Sequence, residues 1–165
     1  MYICNFADFM HPTKSVAFHT LGCKLNFSET STLSRQLYAY GFEKRDFEEQ
    51  ADVYVINTCS VTDNADKECR MLVRRIQRRA PESLVVITGC YAQLKPEEIA
   101  SIEGVDLVLG ASEKFNLGKH LQDLTKGTTA KVYSCEIADV NGFHAAYSQN
   151  DRTRTFQECT CSVIL

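Results

Sequence analysis

Cys23, Cys59 and Cys90 each follow a short apolar run. Val16-Ala17-Phe18 leads into Thr20-Leu21-Gly22-Cys23. Val53-Tyr54-Val55-Ile56-Asn57-Thr58 leads into Cys59, and Leu84-Val85-Val86-Ile87-Thr88-Gly89 into Cys90. Thiolates are soft ligands that favour iron–sulfur clusters or zinc. The spacings of 36 and 31 residues fit no zinc-finger or ferredoxin pattern, in which cysteines cluster within a few residues. If each run is a parallel strand, however, the three carboxyl ends converge on one crevice. The spacing therefore predicts a three-cysteine metal site with one coordination position open, the mark of a site that does chemistry. The competing reading makes the thiols small core hydrophobes. That reading suits Cys69, which sits on an apolar helical stripe with Leu72, Val73, Ile76 and Ala80. Cys4 and Cys135 lie outside the pattern.

Other polar residues near these runs carry two readings each. Asn26 and Glu29 have the spacing of a capping box at the start of a helix, or they belong to the site. His19 reads as a strand-end histidine before it reads as a ligand or proton carrier. Lys67, Arg70, Arg74, Arg75, Arg78 and Arg79 make one basic helix face, which is a solvated surface or a place for phosphate contacts.

The elements that must position the cysteines alternate. Strands are expected at 15–20, 52–58, 84–88 and 106–109, with a short edge strand within 42–47 and a last one within 131–137. Helices are expected from about Asn26 to Gly41, from Asn64 to Ala80 ahead of Pro81, from Lys95-Pro96, and over 113–125. This alternation predicts an α/β fold, an open, mostly parallel sheet with helices on both faces in the flavodoxin or Rossmann manner, plus an irregular tail. The expected divisions are a loose leader at 1–13, a domain at 14–137 and a linker at 138–165.

Composition narrows the class. With 165 residues, 44% hydrophobic and 24% charged, the chain can build a core. A net charge of −3 gives no global attraction to nucleic acid, so RNA must be met by a local patch, and DNA is not an expected partner. Nothing in Met1–Thr13 has the form of a secretory signal, and no run approaches the roughly 20 apolar residues that span a bilayer. A cytoplasmic setting is expected, where eight cysteines stay reduced.

Three motifs then resemble the methylthiotransferase family of radical S-adenosylmethionine enzymes: Thr20-Leu21-Gly22-Cys23-Lys24-Leu25-Asn26 with Glu29, Asn57-Thr58-Cys59-Ser60-Val61-Thr62, and Gly89-Cys90-Tyr91-Ala92-Gln93. The opening Phe18-His19-Thr20-Leu21-Gly22-Cys23 is similar to the branch acting on threonylcarbamoyladenosine in tRNA. The branches acting on isopentenyladenosine in tRNA or on a ribosomal-protein aspartate rank second. The resemblance implies that Cys23, Cys59 and Cys90 hold an auxiliary [4Fe–4S] cluster that carries the transferred sulfur. It implies a second [4Fe–4S] cluster and S-adenosylmethionine in the complete enzyme, with tRNA and a sulfur source as partners. Asp151-Arg152-Thr153-Arg154-Thr155-Phe156 looks like the run entering the radical domain, which the family follows with C-x3-C-x2-C. Here Cys159-Thr160-Cys161 follows and the sequence ends at Leu165. The expectation is a polypeptide that binds one cluster and is inactive alone. A non-catalytic metal-binding module and a plain flavodoxin-like interaction domain are the alternatives.

Overall fold

The computed structural model describes residues 14–59, 64–127 and 129–134. In chain order the elements are β1 (Ser15–Thr20), α1 (Lys24–Ala39), β2 (Glu43–Arg45), β3 (Val53–Thr58), α2 (Asn64–Arg79), β4 (Leu84–Gly89), α3 (Cys90–Leu94), α4 (Pro96–Ala100), β5 (Leu107–Leu109), α5 (Leu117–Gln122) and β6 (Lys131–Tyr133). The strands form one six-stranded sheet in the order β2-β1-β3-β4-β5-β6, and every pairing is parallel. The expected open α/β sheet is present. The leader, most of the tail and Cys4, Cys135, Cys159 and Cys161 lie outside the described residues.

β3 is central, and all six of its residues are buried, as an unbroken apolar run in a parallel sheet requires. Its side chains alternate between two cores. Tyr54 and Ile56 join Val85 and Ile87 against Cys69, Leu72, Val73 and Ile76 of α2. Val53 and Val55 join Val86 and Leu107 against Leu33 and Leu37 of α1 and Leu117 and Leu121 of α5. Helices thus cover both faces.

Register carries the site. Thr20 stands opposite Asn57, and Thr58 stands opposite Gly89, so β1, β3 and β4 end level with one another. From β1 the chain runs outward to β2 and then returns to β3 on the other side. The reversal falls between β1 and β3, where open α/β sheets form their binding crevice.

Some local expectations need correction. The first helix begins at Lys24, and Cys23 itself is the N-cap, without a side-chain cap bond. Asn26 is not the cap, because its amide is drawn inward to backbone carbonyls and its side chain is 1% exposed. A helical turn starts directly at Cys90, where none was expected. The 113–125 helix is only α5, preceded by a tighter turn at Lys114–Asn116 in which Asn116 N–H donates to the Glu113 carbonyl three residues back, at 2.9 Å.

Candidate metal centre

The turn carrying Cys23 is built on Gly22. Its φ of +108° belongs to glycine, and a Cβ there would lie 2.4 Å from the Cys59 Cβ and 2.9 Å from its Sγ. The first and second cysteine loops therefore touch only because residue 22 has no side chain. Gly89, before Cys90, repeats the device: φ is +103°, and a Cβ would lie 2.2 Å from the Thr58 carbonyl oxygen. Glycine is required at both close approaches.

Asparagine side chains lock the loops together. Asn26 Nδ2 donates to the Leu21 carbonyl at 2.8 Å and to the Thr58 carbonyl at 3.1 Å. Asn57 Nδ2 donates to the Asn26 carbonyl at 3.0 Å and to Thr30 Oγ1 at 3.2 Å. Thr58 Oγ1 donates to the Thr88 carbonyl at 2.7 Å, and Thr88 Oγ1 passes the link to Leu109 at 3.0 Å. Gln93 Oε1 accepts from Ala111 N–H at 2.6 Å, tying α3 to the loop after β5. Asn26, Asn57, Thr58 and Gln93 belong to the three sequence motifs, and these bonds join the ends of four strands. Asn57 Oδ1 is the single buried side-chain N or O atom without a partner among the described residues, and it lies where a Cβ on Gly89 would meet it.

The thiols differ from the core cysteine. Cys23 and Cys90 are exposed and Cys59 is partly buried, whereas Cys69 is buried in the α2 core. Burial, with Asp66 adding to it, pushes the Cys69 thiol up to about 12, so it stays protonated and inert. Burial also raises Cys90, and the Cys59 thiol, the Glu29 carboxylate and the Cys23 thiol raise it further while Lys114 opposes them. Cys59 and Cys23 are thus both within electrostatic reach of Cys90. Cys23 Sγ also lies 3.6 Å from Asn26 Oδ1.

Among the described residues, no three His, Cys, Asp or Glu side chains converge closely enough to hold one metal ion. A [4Fe–4S] cluster makes a different demand, since each thiolate takes its own iron. Three separate thiols, each following one of three neighbouring parallel strands, match such a donor set in type. Leu25, Phe27 and Leu94, each more than half exposed, lie on α1 and α3, the helices that follow Gly22 and Gly89.

The pattern of the Uncharacterized protein family UPF0004 matches residues 15–110, more than half of the sequence. The chain belongs to that family. The UPF0004 match takes in all three strand-end cysteines. Among curated proteins, the chain is 51% identical over 100 residues to the threonylcarbamoyladenosine tRNA methylthiotransferase MtaB of Bacillus subtilis (strain 168), covering 61% of this chain and 22% of that protein. It is 44% identical over 122 residues to the MtaB of Aquifex aeolicus (strain VF5), covering 74% and 30%. It is 30% identical over 135 residues to the tRNA-2-methylthio-N(6)-dimethylallyladenosine synthase of Amoebophilus asiaticus (strain 5a2), covering 78% and 28%. The chain spans between a fifth and a third of the length of these relatives.

Elsewhere in the UPF0004 region, the His19 ring lies 4.7 Å from that of Phe47, and burial lowers its pKa. On the basic face of α2, Arg70 pairs with Asp66 at 2.8 Å, while Arg75 and Arg79 share Glu48. Arg74 and Arg78 have no carboxylate partner among the described residues, and both line a hollow of about 350 Å³ with Gln77 and the 101–103 turn. No described helix is long and apolar enough to cross a membrane.

Two features of this site leave no mark in the sequence. Lys114, which forms an ion pair with Glu29, carries no signal because it lies in a loop 85 residues away. Tyr91 donates to Asp66 at 2.9 Å and so anchors the Cys90 turn to α2; an aromatic beside a cysteine gives no hint of that partner.

Proposed function

We propose that this chain is the auxiliary-cluster domain of a tRNA-modifying methylthiotransferase of the threonylcarbamoyladenosine type. The observation that carries the reading is the Asn26 bridge from Leu21 to Thr58, which seats Cys23 beside Cys59 at the reversal point of the sheet, next to Cys90. Cys23, Cys59 and Cys90 would hold a [4Fe–4S] cluster. Bound there, it would supply the chemistry of sulfur delivery.

The chain's own residues hold and orient. Gly22 and Gly89 let the three loops approach, and Asn26 and Asn57 fix them. Arg74 and Arg78 offer cations for tRNA phosphates. The modified base, S-adenosylmethionine, a second [4Fe–4S] cluster and the sulfur source belong to the whole cytoplasmic enzyme. The threonylcarbamoyladenosine branch is favoured over the dimethylallyladenosine branch by 51% against 30% identity to the respective relatives.

Anaerobic reconstitution with iron and sulfide tests the reading. About four irons per chain are expected, with loss when Cys23, Cys59 or Cys90 becomes Ala. One bound zinc, or no metal, would favour a non-catalytic module.

A further inference from the structure

A largely buried ion pair links the helix that follows Cys23 to the turn after β5. Lys114 Nζ donates to Glu29 Oε1 at 2.5 Å, and the two side chains are 13% and 10% exposed. Glu29 lies on the inward side of α1, one turn beyond Asn26 and within the helix that Cys23 starts. Lys114 comes from the turn after β5, the strand hydrogen-bonded to the one that ends at Cys90. The pair thus ties the element of the first cysteine to the neighbour of the third.

Such a pair is a poor device for stability alone, because desolvating two charges offsets most of their attraction. Its place between the helix that follows Cys23 and the neighbour of the strand that leads to Cys90 gives it another consequence. Negative charge near a cluster makes the addition of an electron harder and positive charge makes it easier, so the net local charge sets the reduction potential.

Resting on the reading that Cys23, Cys59 and Cys90 hold a cluster, we propose that the buried Glu29–Lys114 pair sets its potential. Lys114 cancels a carboxylate that would otherwise stand unpaired beside the thiolates. Breaking the pair from either side then moves the potential in opposite directions.

The test is a potentiometric dithionite titration of the full 165-residue chain after anaerobic reconstitution, followed by electron paramagnetic resonance, with iron counted separately. Lys114→Met is expected to lower the midpoint and Glu29→Gln to raise it. Each should change the ratio of reduced to oxidised cluster severalfold at the wild-type midpoint. Lys114→Met with Glu29→Gln together should return close to wild type, and Lys114→Arg should hold the wild-type value. A pair that merely tethered α1 to the loop would lower stability or iron content in the single variants but leave every loaded variant at one potential, which would overturn the proposal. Should a single variant load poorly, the double variant and Lys114→Arg still decide, since a large departure of either from wild type contradicts charge cancellation. Wild-type protein that takes up no iron defeats the cluster reading and this proposal together. Loaded protein with unmoved potentials defeats only the latter.

Discussion

The side-chain amide of Asn26 lies 3.1 Å from the carbonyl oxygen of Thr58, the residue before Cys59. With its second bond, to Leu21 at 2.8 Å, it joins the β1 turn to the end of β3 from inside the sheet edge. Both carbonyls would be left without this donor in Asn26→Ala. The substitution should lower stability by about 1–3 kcal/mol, read from the urea midpoint at unchanged slope. It should also reduce iron uptake, because Cys23 loses its fixed relation to Cys59.

Two glycines with positive φ separate strain from collision. Gly41 has a φ of +83° and open space where a Cβ would be, so Gly41→Ala should cost only about 1–2 kcal/mol of conformational strain and leave iron binding intact. Gly22→Ala adds a collision with Cys59 to the same strain. It should be the more destabilising of the two and should abolish iron uptake. Equal iron content in the two variants would contradict the close approach at residue 22.

Cys69 should govern part of the alkaline behaviour. Its thiol is raised from an ordinary 9.0 to about 12 in the folded protein. The unfolded chain therefore releases this proton first. The stabilisation is full below pH 9 and is lost as pH climbs toward 12. Cys69→Ala should flatten the fall in urea midpoint over that window. It should not abolish the fall, because Cys90 and Tyr91 are raised as well. In metal-free protein at neutral pH, iodoacetamide should modify Cys23 and Cys90 while Cys69 stays unreacted, as peptide mass mapping would show.

The α2 arginines give a prediction about RNA. Arg74→Gln with Arg78→Gln should weaken binding to unfractionated tRNA. The slope of log affinity against log salt should fall by about one for each phosphate that is no longer neutralised. Arg75→Gln, which removes a cation already paired with Glu48, should change that slope less.

The alternation of strands and helices and the parallel sheet are legible in the sequence because both depend on period. Unbroken apolar runs such as 53–58 can be buried only in a sheet covered on both faces, and parallel strands bring their following loops to one edge. Asn26 reads as a cap because an asparagine near a helix start looks the same whether its amide serves the helix or two carbonyls of neighbouring loops. The turn at Cys90–Leu94 is too short to show a helical period. The Glu29–Lys114 pair is a long-range interaction, and a polar residue in a loop leaves no trace of its partner along the chain.

Iron and acid-labile sulfide counted on the anaerobically reconstituted chain test the central claim most directly. About four of each per wild-type chain, and a clear loss in Cys23→Ala, Cys59→Ala and Cys90→Ala but not in Cys69→Ala, is the expected result. Full loading of all three strand-end variants, or no iron on the wild type, would contradict it.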